Sequence, residues 1–335
     1  MPALPPEPTA APLAVGVAGC GHFGRFHALK VAAAGAAARL AGVHDPNEER
    51  ARAVGWETGA PPLSWPDLLA ASEAVIIAAP AEAHFRLARE ALLAGRHVLV
   101  EKPIAATLAE ADILVDLAAG RKLVLQVGHL ERFSAAFRAL TEHMRRPLYI
   151  EAIRIAPFKS RGTDVSVVLD LMIHDLDLVL ALVESPIESV DAVGAPVASA
   201  SEDIANARVR FANGCVATVT ASRISLRTER RMRLFAREGY ISLDFVNRKL
   251  FMIGRTGQGM PLPGLEGFTM NESSWEDHDS LAAEHAAFFA SVRETGPIFV
   301  DAAAGRRALA AALMVAESMD ASRARAVASG LIPAG

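Results

Sequence analysis

Short, unbroken apolar runs alternate with amphipathic stretches over the first third of the chain. The runs are Leu13–Ala18, Leu40–His44, Ala74–Ala78, His97–Val100 and Leu123–Val127. Between them, Phe23–Ala34, Glu48–Val54, Ala83–Ala94 and Leu108–Ala119 carry apolar residues at helical spacing. Strands buried on both faces of a parallel sheet read as continuous apolar runs, and strand–helix alternation specifies a doubly wound α/β sheet. Beyond about Gly128 the period changes. A helix at Phe133–Met144, a strand at Leu148–Ala156 and a long apolar helix across Val165–Val183 come first. Six strand-like runs follow: Ile187–Val193, Ala205–Phe211, Cys215–Ser222, Arg231–Ala236, Tyr240–Phe245 and Lys249–Ile253. Turns such as Ala212-Asn213-Gly214 and Glu238-Gly239 are hairpin signals, so this part is expected to form a mostly antiparallel open sheet. Gly254–Asp279 reads as a long loop, and helices at Leu281–Thr295 and Asp301–Ala326 close the chain. The organisation expected is a tail over residues 1–12, a Rossmann domain over 13–129, and an α+β domain for substrate binding and oligomerisation over 130–335.

Length supports that division, because 335 residues exceed what one hydrophobic core sustains. The net charge is −4, with both signs mixed along the chain. Such mixing excludes the basic stripe of a nucleic-acid binder and the basic cluster of a protein held on anionic lipid. No apolar run is long enough to span a bilayer. Cys20 and Cys215 stand alone in apolar segments, in neither a redox pair nor a metal-ligand spacing. No metal site is expected, and a reducing, cytoplasmic location is. Met1–Pro12 is rich in Pro and Ala and lacks the pattern of a secretory signal, which reads as a disordered tail.

Gly19-Cys20-Gly21-His22-Phe23-Gly24 is a GxGxxG motif between a strand and a helix. The first glycine permits the tight turn, the second lets backbone approach a pyrophosphate, and the third lets helix and strand pack closely. The helix N-terminus then offers free N–H groups to the phosphates. Asp45 ends the second strand, 21 residues beyond Gly24. A carboxylate there accepts hydrogen bonds from ribose hydroxyls and repels a 2′-phosphate, so NAD is the expected cofactor. His44 and Arg50 lie nearby in sequence, which leaves NADP open, and Asp45 also suits a cap in the turn Asp45-Pro46-Asn47. Lys102 closes a Rossmann strand, at the end where open α/β sheets bind ligands. An ammonium there stabilises alkoxide character at a carbinol and relays a proton; Pro103 fixes the local backbone and permits a cis bond.

In the long apolar helix, Asp170, His174 and Asp177 are spaced four and three apart, which puts them on one face. Buried polar groups are costly unless paired or lining a polar cavity. A satisfied core His–Asp pair is one account. Beside Lys102 and a cofactor site the catalytic account is preferred, with His174 as acid/base and Asp170 orienting it or binding a hydroxyl.

Glu101-Lys102-Pro103, preceded by Ala79-Pro80-Ala81-Glu82-Ala83-His84 and Gly95-Arg96-His97-Val98, resembles the Gfo/Idh/MocA family of sugar and cyclitol dehydrogenases. His27 after the glycine turn and Asp170…His174…Asp177 extend the resemblance, which runs from Leu13 to about Ser318. It implies hydride transfer between a carbinol and a nicotinamide cofactor, cofactor contacts at Ala79, Pro80, His84, Glu101 and Lys102 beside Gly19, Gly21, His22, Phe23, Gly24 and Asp45, and a homodimer or homotetramer built through the open sheet. Val127–Phe133, Arg154–Phe158 and Val168–Asp175 resemble the branch that oxidises the 3-hydroxyl of UDP-N-acetylglucosamine for a 3-amino sugar such as that of lipid A. The resemblance then implies an aminotransferase partner and substrate contacts at Phe133, Asp170, His174 and Asp177. A diphosphate needs cations, and Arg132, Arg154 and Arg161 are candidates; each is equally well read as one half of an ion pair. Ser166-Val167-Val168 departs from the Gly-rich approach of many relatives, which weakens an inositol or glucose reading more than a nucleotide-sugar one. The arginines from Arg223 to Arg237 read as a solvated sheet face or a subunit contact. A dehydrogenase of a free sugar or polyol, and a non-catalytic NAD-sensing regulator, are the competing functions.

Overall fold

A computed structural model describes residues 11–143, 146–159, 165–255, 259–276 and 278–332. Arg161 and nearly all of the expected tail lie outside the described residues. The chain divides into two compact units, residues 1–130 with 279–306 and residues 131–278 with 307–335.

The first unit begins with β1 (Leu13–Ala18), α1 (His22–Ala32), β2 (Ala38–His44), α2 (Glu48–Thr58), α3 (Trp65–Ala71), β3 (Ala74–Ile77), α4 (Ala81–Leu93), β4 (His97–Glu101), α5 (Leu108–Arg121) and β5 (Leu125–Gly128). The strands form one parallel sheet in the order β2-β1-β3-β4-β5, the doubly wound arrangement that the apolar runs predict. β1 and β3 are buried along their whole length. Helix boundaries follow local chemistry. Asn47 caps α2 by accepting from the Arg50 N–H, and Gly59 in the left-handed region (φ 73°) ends that helix. Thr107 and Glu110 form a capping box on α5. Sequence reading missed α3, although Ser64 caps it and a proline occupies its first turn.

In the second unit come α6 (Ala135–His143), β6 (Tyr149–Ile155), a π turn at Val168–Met172 and α7 (Ile173–Val183). Then follow β7 (Ile187–Ala195), β8 (Ile204–Phe211), β9 (Val216–Ser222), β10 (Glu229–Ala236), β11 (Gly239–Asp244), β12 (Lys249–Gly254), β13 (Met260–Pro261) and β14 (Thr269–Ser274). The sheet order is β13-β14-β12-β11-β10-β6-β9-β8-β7. Every pairing is antiparallel except β6 with β9. One face of this sheet packs on α7, and Ile150, Ala152, Val219, Met232 and Leu234 join Ile173, Leu176 and Val179 in a common core.

Three expectations are corrected. The stretch read as a loop over Gly254–Asp279 contains β13 and β14; β14 pairs with β12 although half-buried or exposed throughout, so no apolar alternation announces it. The helix expected from Val165 has its first regular α-turn only at Ile173, after the π turn. The third concerns the domain taken to run over 130–335. α8 (Ser280–Val292) belongs to the first unit, where Phe288 and Phe289 pack with Val15, Val31 and Leu99. α9 (Ala302–Ala328) crosses the division at Arg306/Arg307.

Candidate active site

In the first unit the site is built around the turn after β1. Gly19 sits at φ 96°, and a Cβ there would lie 2.4 Å from the Ala78 carbonyl oxygen. A Cβ on Gly24 would lie 1.9 Å from the Gly19 carbonyl oxygen, so α1 meets the turn only without a side chain. Around Gly21 a Cβ would meet nothing within 4 Å, which leaves the backbone open to a ligand. Gly21 starts α1 without a side-chain cap, and the first turn holds no acid. The amide groups and the positive end of the helix dipole are thus available to an anion. His22 and Phe23 are exposed on that turn. Asp45 accepts from the Cys20 N–H at 2.7 Å and from the Asn47 N–H at 2.8 Å. These bonds hold the carboxylate beside the glycine turn and leave lone pairs for hydroxyl donors. Open backbone, uncapped helix and fixed carboxylate fit a dinucleotide. Asp45→Ala is expected to narrow the preference for NAD over NADP, read as the ratio of kcat/KM values; an unchanged ratio would return Asp45 to a turn-capping role.

Pro80 starts α4, and His84 in its first turns is buried. The His84 ring faces the Pro103 carbonyl at 2.7 Å and the Ala79 carbonyl at 2.8 Å. It therefore ties the turn after β3 to the turn after β4 that carries Lys102. Lys102 is half-buried, and the Lys102–Pro103 bond is cis. Glu101 is turned inward: its Oε1 lies 3.1 Å from His27 Nε2, and a Cβ on Gly128 would come within 2.5 Å of it. His285 Nε2 lies 2.8 Å from His27 Nδ1, and Glu284 completes a buried group with His27 and Glu101. Burial, and then the charge of Glu101, push the Glu284 carboxyl well above its ordinary range. Burial, and then His27, keep His285 well below its own. Sequence reasoning missed Glu284 and His285, although an acid inside the apolar run Leu281–Phe289 was a signal.

The second unit holds a network of charges on its core face. Alternation along β6 places Arg154 on the same buried side as Ile150 and Ala152. Arg230 lies directly opposite it on β10, and two facing cations repel unless neutralised. Arg154 donates Nε and Nη2 to the two oxygens of Asp175 at 2.8 and 2.9 Å, and Nη1 to Glu131 at 3.3 Å. Glu131 also pairs with Arg230. Burial alone would raise the Glu131 carboxyl, but Arg154 and Arg230 outweigh it and hold the group below its usual range. Arg132 makes a bidentate pair with buried Asp177, at 2.8 and 3.2 Å. Asp170, in the π turn, and His174 are half-buried, unlike Asp177. Phe133 is buried. A cavity of about 630 Å³ in this unit is walled by Arg132, Leu180, Glu184, Pro186, Arg307 and Met314, and includes neither Asp170 nor His174.

Residues 13–129 match the model of the oxidoreductase family with an NAD-binding Rossmann fold, and residues 137–242 match the Gfo/Idh/MocA C-terminal domain. The chain belongs to the Gfo/Idh/MocA family. As a member of that family it is an NAD-binding oxidoreductase. A family member from Acidithiobacillus ferrooxidans, UDP-N-acetylglucosamine 3-dehydrogenase, is 42% identical over 91% of this chain and 97% of its own length. A solved structure of that dehydrogenase superposes with a TM-score of 0.88, at 41% identity, over 93% of this chain and 99% of that one. The inositol 2-dehydrogenase of Leifsonia xyli is 28% identical over 82% of this chain and 79% of its own. Among the described residues no helix is long and apolar enough to cross a membrane.

Proposed function

We propose that this Gfo/Idh/MocA member oxidises the 3-hydroxyl of UDP-N-acetylglucosamine to a ketone, with NAD as the hydride acceptor. The observation that carries the reading is likeness to the Acidithiobacillus enzyme along nearly the whole of both chains, against 28% identity to the inositol enzyme. NAD supplies the electron sink. The chain does the rest. The open backbone at Gly21 and the start of α1 hold the pyrophosphate, while Asp45 takes the ribose hydroxyls. His174 takes the hydroxyl proton, Lys102 stabilises the negative charge this leaves on the carbinol oxygen, and the hydride departs from the carbinol carbon; Asp170, in the π turn, orients the imidazole or binds a substrate hydroxyl. For the diphosphate we assign Arg132, which lines the 630 Å³ cavity and keeps Nη1 beyond its pair with Asp177. Arg154, buried and held by two carboxylates, is assigned to holding Asp175 and Glu131.

A second copy is placed on the sheet face away from the core. Tyr149, Phe235, Tyr240 and Phe251 form an aromatic row there, with neighbouring ring centroids 4.9–6.5 Å apart, beside the ion pair Arg233–Glu151. Two unpaired cysteines suit a reducing cytoplasm. Sugar oxidation by NAD is uphill, so an aminotransferase that consumes the ketone is the expected partner. With glutamate and such an aminotransferase present, the enzyme is expected to convert UDP-N-acetylglucosamine to the 3-amino sugar, followed by mass spectrometry. No turnover there, together with NADH formation from a free polyol, would replace this substrate with a polyol.

A further inference from the structure

Three segments of the first unit carry imidazole and carboxylate groups to one buried point: His27 from α1, Glu101 from the end of β4, and Glu284 from α8. Their donor atoms all lie within 4.8 Å of one another, and all three residues are buried. Neither oxygen of Glu284 receives a hydrogen bond from the described residues. Neither Glu101 nor Glu284 forms an ion pair with a lysine or arginine among them. A buried carboxylate without a donor is among the costliest arrangements a fold can keep. With both carboxylates ionised and the two imidazoles neutral the group would carry two negative charges. A single proton would leave one of them in the interior; a single divalent cation balances both.

Spacing agrees with charge. A cation bound at about 2.0–2.2 Å holds neighbouring tetrahedral ligands roughly 3.3–3.6 Å apart. His27 Nε2 and Glu101 Oε1 stand at 3.1 Å, and Glu284 lies within reach of a small side-chain adjustment. If Nε2 of His27 is the ligand, Nδ1–H must donate, and Nε2 of His285 stands 2.8 Å away to accept. A hydrogen-bonded partner on the far nitrogen is what fixes the tautomer and orientation of metal-bound imidazoles. One imidazole with two carboxylates suits a divalent ion such as Zn²⁺, Mn²⁺ or Co²⁺. We propose that His27, Glu101 and Glu284 bind one divalent transition-metal cation, with His285 orienting His27. The ion joins α1, β4 and α8 one residue before Lys102. Its role is to fix that strand end, apart from hydride transfer.

The full chain, dialysed against a chelator, is titrated with Zn²⁺ and separately with Co²⁺, and bound metal is measured by elemental analysis. About one equivalent per chain is expected, with visible ligand-field bands for Co²⁺ that Zn²⁺ abolishes. Glu284→Gln, close in shape, should weaken binding by at least ~100-fold, and His285→Ala by roughly 10–100-fold, the range for a residue that orients a ligand. Asp112→Asn, at an exposed ion pair with Arg306, should bind as the wild type does. Wild-type protein that takes up less than about a tenth of an equivalent overturns the site in favour of shared protons. Stoichiometric binding that persists in both Glu284→Gln and His285→Ala overturns it too, because the metal is then held elsewhere.

Discussion

Lys102→Met is expected to lower kcat by roughly 10²-fold or more, while the Kd for NADH, measured by fluorescence titration, stays within a few-fold of wild type. The size follows from what one positioned charge or acid–base group contributes when charge develops on a carbinol oxygen. Methionine keeps the length and apolar body of the side chain and removes only the ammonium. Lys102 is half-buried, so its charge acts where water screens it incompletely. His84 meets the carbonyl of Pro103, next to Lys102, and that of Ala79 in the turn after β3, and the variant should therefore keep the turn. His174→Ala should show a loss of the same order. Near-wild-type kcat in both variants would return the two residues to structural roles.

Arg154→Ala should destabilise the fold by about 3–5 kcal/mol, because it strands buried carboxylates that the guanidinium neutralised. Asp175 would lose both of its bonds to that group, and Glu131 one of its two cationic partners. Urea unfolding at neutral pH measures the difference. Its pH dependence has a definite sign. The folded state holds Glu131 below its ordinary range, so this contribution is present above the unfolded carboxylate value of about 4.3 and is lost as pH falls through the folded value. The gap between wild type and variant is thus widest near neutrality and shrinks toward pH 3. A variant as stable as wild type, with only its KM for the nucleotide sugar raised, would make Arg154 the phosphate contact instead.

How much was legible in the sequence follows from how each element is buried. β1 and β3 show as unbroken apolar runs because both of their faces are covered. The glycine turn was legible because backbone geometry allows few residues at Gly19 and Gly24. Whether Arg154 was a phosphate contact or half of an ion pair was not, since β6 carries apolar residues on both faces and alternation could not say which side was inward. The helical spacing put Asp170, His174 and Asp177 on one face. Burial along that face differs all the same: Asp177 is buried against Arg132, while Asp170, in the π turn, and His174 are half-buried. The amphipathic pattern of α8 announced a helix but carried no mark of which core Phe288 and Phe289 would join.

That last point bears on how the chain is made. The core of the first unit draws on two separated stretches of the chain, since residues 279–306 pack with residues of the N-terminal stretch up to 130. Gln126 donates to the Glu284 carbonyl, and the Val127 N–H to that of Val300. During synthesis, which proceeds from the N-terminus at about 5–20 residues per second, the sheet of the first unit leaves the ribosome well before the helix that closes it. Residues 131–278 then stand as an insertion within that unit. The nascent Rossmann sheet must wait for the whole insertion, with the floor beneath Val31 and Leu99 uncovered, and that interval is its period of greatest exposure to misassociation.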